Sequence, residues 1–507
     1  MYLEITDGQA SLQEASALWG KDSNETEDLL KSELGDGQSA NGKGRKKVEV
    51  ACIGQAGENL SLISAVMNDK GRAAGRSGVG AVMGSKRLKA ITASGSAAVP
   101  VHDIEATKAL RKKYMALHGG AHELFVDYGT IGITGDSAMS GDSPVKNWGG
   151  AGVTDFPSAQ EKFRDKVLIA YQDKKYGCWR CTMACGGHMS VKEAGPYQGT
   201  AHHKVEYETA GAWGTMTLTD DFPALIKINE LCNRFGLDTI GAGCTAAFAV
   251  ECYENGLLTK EDTGGLEVNW GNAEALVGLV EKLALREGVG EILADGVQRA
   301  AERIGKGADE YAIHVHGAEI PMHDPKFQPG LATAYQLDAT PARHTQGHED
   351  MPPVLDDWPE HDKYEYASKG EVHKKCMEMV HVVNAAGVCL FAYSAYDWNF
   401  VPDFLSAVTG WEIDTDECYT IGERIADIRH GFNLREGLNP LQFEVPARAL
   451  GNPPLTEGNV RDITVDLDTQ ARDYCAAMDW DPETATPSRE RLLSLGLEEV
   501  ARDLHPA

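Results

Sequence analysis

Three cysteines, Cys178, Cys181 and Cys185, stand in a C-x2-C-x3-C stretch, YGCWRCTMACGG. This spacing restricts the fold more than any other feature of the chain. Three thiolates on one short loop converge on a single cluster or ion without straining the backbone. A four-thiolate site then needs a distant segment to return with the last ligand. Cys389, in VVNAAGVCLF, is the candidate, so two segments remote in sequence must meet. The residue types leave three readings open: an iron–sulfur cluster, a zinc site, or a structural or redox thiol set. A zinc ribbon normally carries a second C-x2-C pair, which is missing nearby. Cys52, Cys232, Cys244, Cys252, Cys376, Cys418 and Cys475 read as buried apolar fillers.

A chain of 507 residues is too long for one hydrophobic core. Its net charge of -28 argues against nucleic acid and anionic membranes as partners. No apolar run approaches the roughly 20 residues of a membrane span. The start, MYLEITDGQASLQE, has neither a basic nor an apolar signal region, so a cytoplasmic location is expected.

Residues 1–46 read as helix and then a polar loop (GDGQSANGKGRKK), and VEVACIG and LKAITASG as strands. Helix is predicted near 103–118, and a Gly/Ser/Asp-rich loop over 129–153. FPALIKINELCNRFG carries Leu225, Ile228, Leu231, Cys232 and Phe235 on one stripe and stops at Gly236, and Asp238 can cap the next helix. ALVGLVEKLALREG and GEILADGVQRAAERIG read as two further helices, and IPMHDPK as a loop or linker. More helix is predicted over 365–395 and 417–432, before a Pro-rich tail with short helices.

The order AAGRSGVGAVMGSKRLKAI, C-x2-C-x3-C, VEYET, NRFGLDTIGAG, PMHDPK, NAAGVC resembles the tungsten-dependent aldehyde:ferredoxin oxidoreductase family. The resemblance covers about residues 48–440. It implies an α+β fold: a partial β-rich pterin-binding domain (1–99) and two largely helical domains (100–312 and 313–507). Against the family pattern, the chain is expected to begin near the middle of the β-rich domain. The implied cofactors are a tungsten (or molybdenum) bis-pterin and a [4Fe–4S] cluster on Cys178, Cys181, Cys185 and Cys389. Two D-x-x-G-L-[D/C] segments flank the pterins in the family. Here they read Asn233 to Asp238, including Leu237, and Asn384 to Cys389, including Val388. Both begin with Asn, whose amide can hydrogen-bond a pterin through its carbonyl oxygen but adds no charge. Arg76 and Gly78, which otherwise read as a strand–helix turn, become a loop approaching pterin phosphates.

The resemblance also implies an acid–base pair, Glu208 and His344, with Glu206 and His348 as rivals nearby. It implies oxidation of an aldehyde with electrons passed to ferredoxin or a ferredoxin-like subunit. Two other functions stay in view: a tungsten-dependent aromatic acyl-CoA reductase subunit, and an inactive Fe–S or zinc scaffold left by the short N-terminus. Lys174, Lys175 and Arg180 are candidate docking residues for an acidic electron acceptor. The sequence leaves open the aldehyde, the choice of metal, and whether the chain assembles with itself or with another subunit.

Overall fold

The computed structural model describes residues 1–37, 47–116, 121–181, 183–355 and 358–506. Strands β1 (Tyr2–Thr6) and β2 (Gln9–Gln13) form a hairpin, so the helix predicted at the N-terminus begins only at Ser23 and runs to Glu33. The reason is local. YLEIT alternates, and Asp7-Gly8 takes left-handed φ at both positions (47° and 82°), as a two-residue hairpin turn demands. Most of the polar loop, 38–46, lies outside the described residues. With β3 (Glu49–Cys52), β4 (Val66–Asn68), β5 (Arg72–Ala74) and β6 (Ala90–Ser94) the hairpin makes a six-stranded mixed sheet. Its order is β2-β1-β6-β3-β4-β5, and only β1 and β6 pair in parallel. A small core of Tyr2, Leu30, Val50, Cys52 and Ala90 lies against one face.

Lys89, fully buried, leads into β6 and joins three segments of this unit. Its ammonium donates to Glu58 (2.5 Å) and to the Lys21 carbonyl (2.7 Å), while Glu58 also accepts from the Gly20 N–H. A buried ammonium stripped of its carboxylate is strongly penalised. Glu58→Ala should therefore destabilise this unit by about 3–5 kcal/mol, read as an earlier transition in a urea titration followed by circular dichroism.

The rest of the chain is largely helical. A three-stranded antiparallel sheet, β7 (Gln172–Tyr176), β8 (Gly186–Ser190) and β9 (Ala201–His203), brackets the cysteine loop, and β10 (His314–Val315) pairs with β11 (Ala318–Glu319). Helix Phe222–Phe235 ends at Gly236 (φ 73°), and Asp238 caps helix Thr239–Glu254 by accepting from the Ile240 and Gly241 N–H groups. That helix is apolar on nearly every side and sits in the middle of the largest core. This core joins Trp213, Phe248 and Leu276 to Leu331, Tyr335 and Val445, so residues on both sides of 312 share it.

Three expectations change. The stretch 129–153 contains helix Thr134–Ser140, held by burial of Thr134, Ser137 and Ala138 and closed by left-handed Gly141. The helix predicted over 290–305 breaks at Gly296 into Val289–Leu293 and Val297–Ile304. Residues 320–326 form a loop but not a linker, since Met322, Asp324 and Lys326 are buried. Among the described residues, no helix is long and apolar enough to cross a membrane.

Candidate active site

Glu208 lies on the short helical turn Tyr207–Ala210, which widens at once into a π-helical turn, Gly211–Thr215. Such wide turns displace the following backbone and recur beside functional sites. The loop 320–326 is fastened here twice. Tyr207 donates its hydroxyl to the Met322 carbonyl (2.5 Å), and the Met322 N–H donates to Glu208 Oε2 (2.9 Å). Glu208 Oε1 is buried, and among the described residues nothing hydrogen-bonds it. Two imidazoles face it: His344 Nε2 at 3.5 Å and His323 Nε2 at 3.6 Å.

The two histidines differ in their other contacts. His323 Nδ1 sits 2.9 and 3.1 Å from the two oxygens of Asp142, which also accepts from Gln328 Nε2 (3.0 Å) and Ser137 Oγ (3.1 Å). His344 Nδ1 is buried and unpartnered. Burial opposes charge on both rings, but Asp142 and then Glu208 outweigh it at His323 and raise its pKa to about 9. At His344, burial and the cations His323 and Arg76 act together and push the pKa well below the ordinary value. Burial raises Glu208, and His323 is the chief influence pulling it back down.

The rivals go elsewhere. Glu206 accepts from Thr130 Oγ1 (2.5 Å) and approaches Arg72 (3.5 Å), on the side of the cysteines. His348 lies 3.9 Å from Asp350. His323 and Asp142 had not been singled out from sequence. PMHDPK was visible as a motif, but only its burial shows that the loop turns inward.

Beside this pocket is a cavity of about 670 Å³, lined in part by Arg76, Gly78, Asp238, Arg299 and Arg343. Arg76 separates the two spaces. It donates to Asp238 Oδ2 (3.2 Å), to the Ala342 carbonyl (2.6 Å) and to the Glu319 carbonyl. Gly78 has φ 65°, and a Cβ there would lie 2.6 Å from the Leu62 carbonyl oxygen, so the loop tolerates no side chain. Arg343 donates to Ser77 (2.9 Å) and is pushed below its ordinary pKa by burial and by Arg76. Asn233 and Leu237 do not line the cavity. The Asn233 amide donates to Asn229, and Leu237 is core.

In the cysteine loop the Cys181 N–H bonds the Cys178 carbonyl (2.9 Å), and Arg180 and Ala184 adopt left-handed φ, so the chain curls. Cys389 starts helix Leu390–Ala395. Burial raises the Cys185 thiol to about 11, with Glu206, Cys389 and Cys181 adding to it and Arg72 opposing. Burial also raises Cys389, helped by Cys181 and Cys178. All four sulfurs are therefore within electrostatic reach of one another. Arg72 is a further residue missed from sequence. Buried Nε and Nη2 atoms leave hydrogen-bonding capacity unused beside the thiols. Asn384 donates to the Thr345 carbonyl (3.1 Å) and is exposed, and Val388 is half-buried. Lys174, Lys175 and Arg180 are exposed; Lys175 donates to the Val126 carbonyl, and Arg180 stacks on Trp179, which is 76% exposed.

Residues 1–95 match the aldehyde ferredoxin oxidoreductase N-terminal domain, and residues 105–497 match domains 2 and 3 of the same family. The chain belongs to the aldehyde ferredoxin oxidoreductase family. It is thus an enzyme of the oxidoreductase class. It is 33% identical to the tungsten-containing aldehyde ferredoxin oxidoreductase of Pyrococcus furiosus, over 98% of this chain and 80% of that protein. The Thermococcus kodakarensis protein of the same name matches equally well, at 33% with the same coverage. An aliphatic sulfonate oxidoreductase WOR-like subunit of Pyrococcus furiosus is 29% identical over 99% of this chain and 79% of its own length. Among solved structures, the BamBC active site complex of benzoyl coenzyme A reductase superposes with a TM-score of 0.78 at 22% identity, over 99% of this chain and 80% of that one. At that identity the likeness concerns the fold, an N-terminal mixed sheet followed by helical units.

Proposed function

We propose that this enzyme oxidises aldehydes to carboxylic acids at a tungsten bis-pterin and sends the electrons through a [4Fe–4S] cluster to a ferredoxin or ferredoxin-like subunit. The observation that carries this reading is the buried, unpartnered Glu208 Oε1 held 3.5 Å from His344 Nε2. A carboxylate and a neutral imidazole converging on one point suit the attack of water on a carbonyl carbon.

The residues fit the two groups. Arg76, Gly78, Asp238 and Arg343 would hold one pterin, and a cavity with three arginines on its wall suits an anionic ligand. Asn384 and Val388 would meet the second pterin, and Cys178, Cys181, Cys185 and Cys389 would hold the cluster. When bound, the tungsten centre supplies a two-electron acceptor and the cluster a one-electron outlet.

The reaction balances as RCHO + H2O → RCOOH + 2 H⁺ + 2 e⁻. Glu208 takes the proton of the water whose oxygen bonds to the carbonyl carbon. His344 offers its unpartnered ring nitrogen to the carbonyl oxygen. Burial keeps Glu208 basic enough to act near neutral pH. Exposed thiols without disulfide partners also agree with a reducing, cytoplasmic setting.

The test is metal analysis with activity. Purified enzyme should carry tungsten and about four irons per chain and reduce a viologen dye with simple aldehydes. Reduction of benzoyl-CoA with no aldehyde turnover would overturn the substrate, and iron or zinc without tungsten would overturn the reaction.

A further inference from the structure

One carboxylate oxygen, Glu208 Oε1, faces two imidazoles at nearly equal distance. A base and a neutral hydrogen-bond donor can share so small a pocket only if something distinguishes the rings. Only His323 has an acid behind it. Its Nδ1 meets both oxygens of Asp142, and Asp142 is in turn fixed by Gln328 and Ser137. His323 is also wedged between the rings of Tyr207, at 4.8 Å, and His344, at 5.2 Å, so it cannot swing away.

We propose that the Asp142–His323 pair is a fixed cation built into the site, against which Glu208 ionises and beside which His344 stays neutral. His323 is thus a positioning residue. It acts through Glu208 and assigns base and donor to two groups that would otherwise compete for one proton. An imidazolium has both N–H groups to give, one to Asp142 and one toward Glu208 Oε1. The same positive charge, 5.2 Å ring to ring from His344, makes a second imidazolium unfavourable. Charged or titratable groups facing the pair are Asp142, Glu208, His344, His348, Tyr207 and Arg76. Of these, Asp142 and Glu208 favour the cation at His323. The directions of the pKa shifts agree with this division, upward at His323 and downward at His344.

This inference rests on the reading of Glu208 as the base, and its test separates the two. An infrared titration of the holoenzyme, taken as wild type minus Glu208→Gln, follows the protonated-carboxyl band of Glu208 and needs no turnover. In His323→Gln that band should persist to a pH at least one unit higher than in the wild-type background, and Asp142→Asn should shift it the same way. The acid limb of kcat/KM for an aldehyde should move up by the same amount, costing about tenfold at pH 6, with recovery at higher pH and little change in KM. His323→Lys, which restores a positive charge, should return the limb toward the wild-type position. A merely structural role would lower the rate at every pH without moving the limb. An unchanged carboxyl band in a folded His323→Gln or Asp142→Asn enzyme overturns the proposal. If the band shifts but aldehydes are not substrates, the pair stands and only the reaction assignment falls. Should His323→Gln not fold, Asp142→Asn carries the same readouts.

Discussion

Glu208→Gln is expected to lower kcat for aldehyde oxidation by 10²–10⁴-fold while leaving tungsten and iron content unchanged. The substitution is nearly isosteric. It keeps the acceptor that the Met322 N–H uses at 2.9 Å, so the loop 320–326 stays fastened and the pocket keeps its shape. What is lost is the one oxygen that can accept a proton, Oε1, which meets the two imidazoles and is hydrogen-bonded by nothing else among the described residues. The loss should fall on kcat more than on KM, because the amide still fills the space. In the unmodified enzyme, the acid limb of the rate should lie above the ordinary carboxylate range, since burial raises Glu208 and His323 only partly offsets it. Activity then falls as pH drops through that raised value, the direction expected of a base. Glu206→Gln is the control. That carboxyl reaches Thr130 and Arg72 rather than the pocket, so its loss should spare the acid limb. A Glu208→Gln enzyme with wild-type turnover would remove the base from this position.

The parts of the fold that followed from sequence are those whose signals are local. Gly236 and Asp238 stop one helix and start the next through backbone requirements that short-range chemistry dictates. The hairpin at residues 2–13 was equally local. The Asp7-Gly8 turn and the alternation of YLEIT were present, but the reading as helix passed over them. The site was legible to the extent that its residues lie in quotable motifs, and so Glu208 and His344 could be named and are found together. His323 could not be read the same way. Its motif gives no sign of direction, and a histidine in a Pro-containing loop is as readily exposed as buried. Only the Tyr207–Met322 and Glu208–Met322 hydrogen bonds turn it inward. Asp142 and Arg72 depend on tertiary placement alone. Asn233 shows the converse error. A family pattern marked it, yet the helix consumes its amide four residues back, at Asn229.

Cys389→Ala carries the second large effect. Three of the four thiols share one loop whose curl is set by left-handed Arg180 and Ala184, so the loop could bind iron loosely by itself. The fourth comes from the start of helix Leu390–Ala395, and the same segment holds Asn384 and Val388. Removing this sulfur leaves a cubane with an open iron site, and it also cuts the tie between the cysteine loop and the second pterin segment. Iron should fall well below four per chain. Aldehyde-dependent dye reduction should drop by more than 100-fold, because electrons lose their outlet even with Glu208 and His344 intact. Tungsten should be largely retained, since Arg76, Asp238 and Arg343 lie on the other pterin's side. Cys376→Ala is the matched control, another buried thiol on the preceding helix. It should cost packing stability and leave iron unchanged. Full iron in Cys389→Ala, with a normal cluster spectrum, would mean that the fourth ligand lies elsewhere, and with it the link between the cysteine loop and the far helical region.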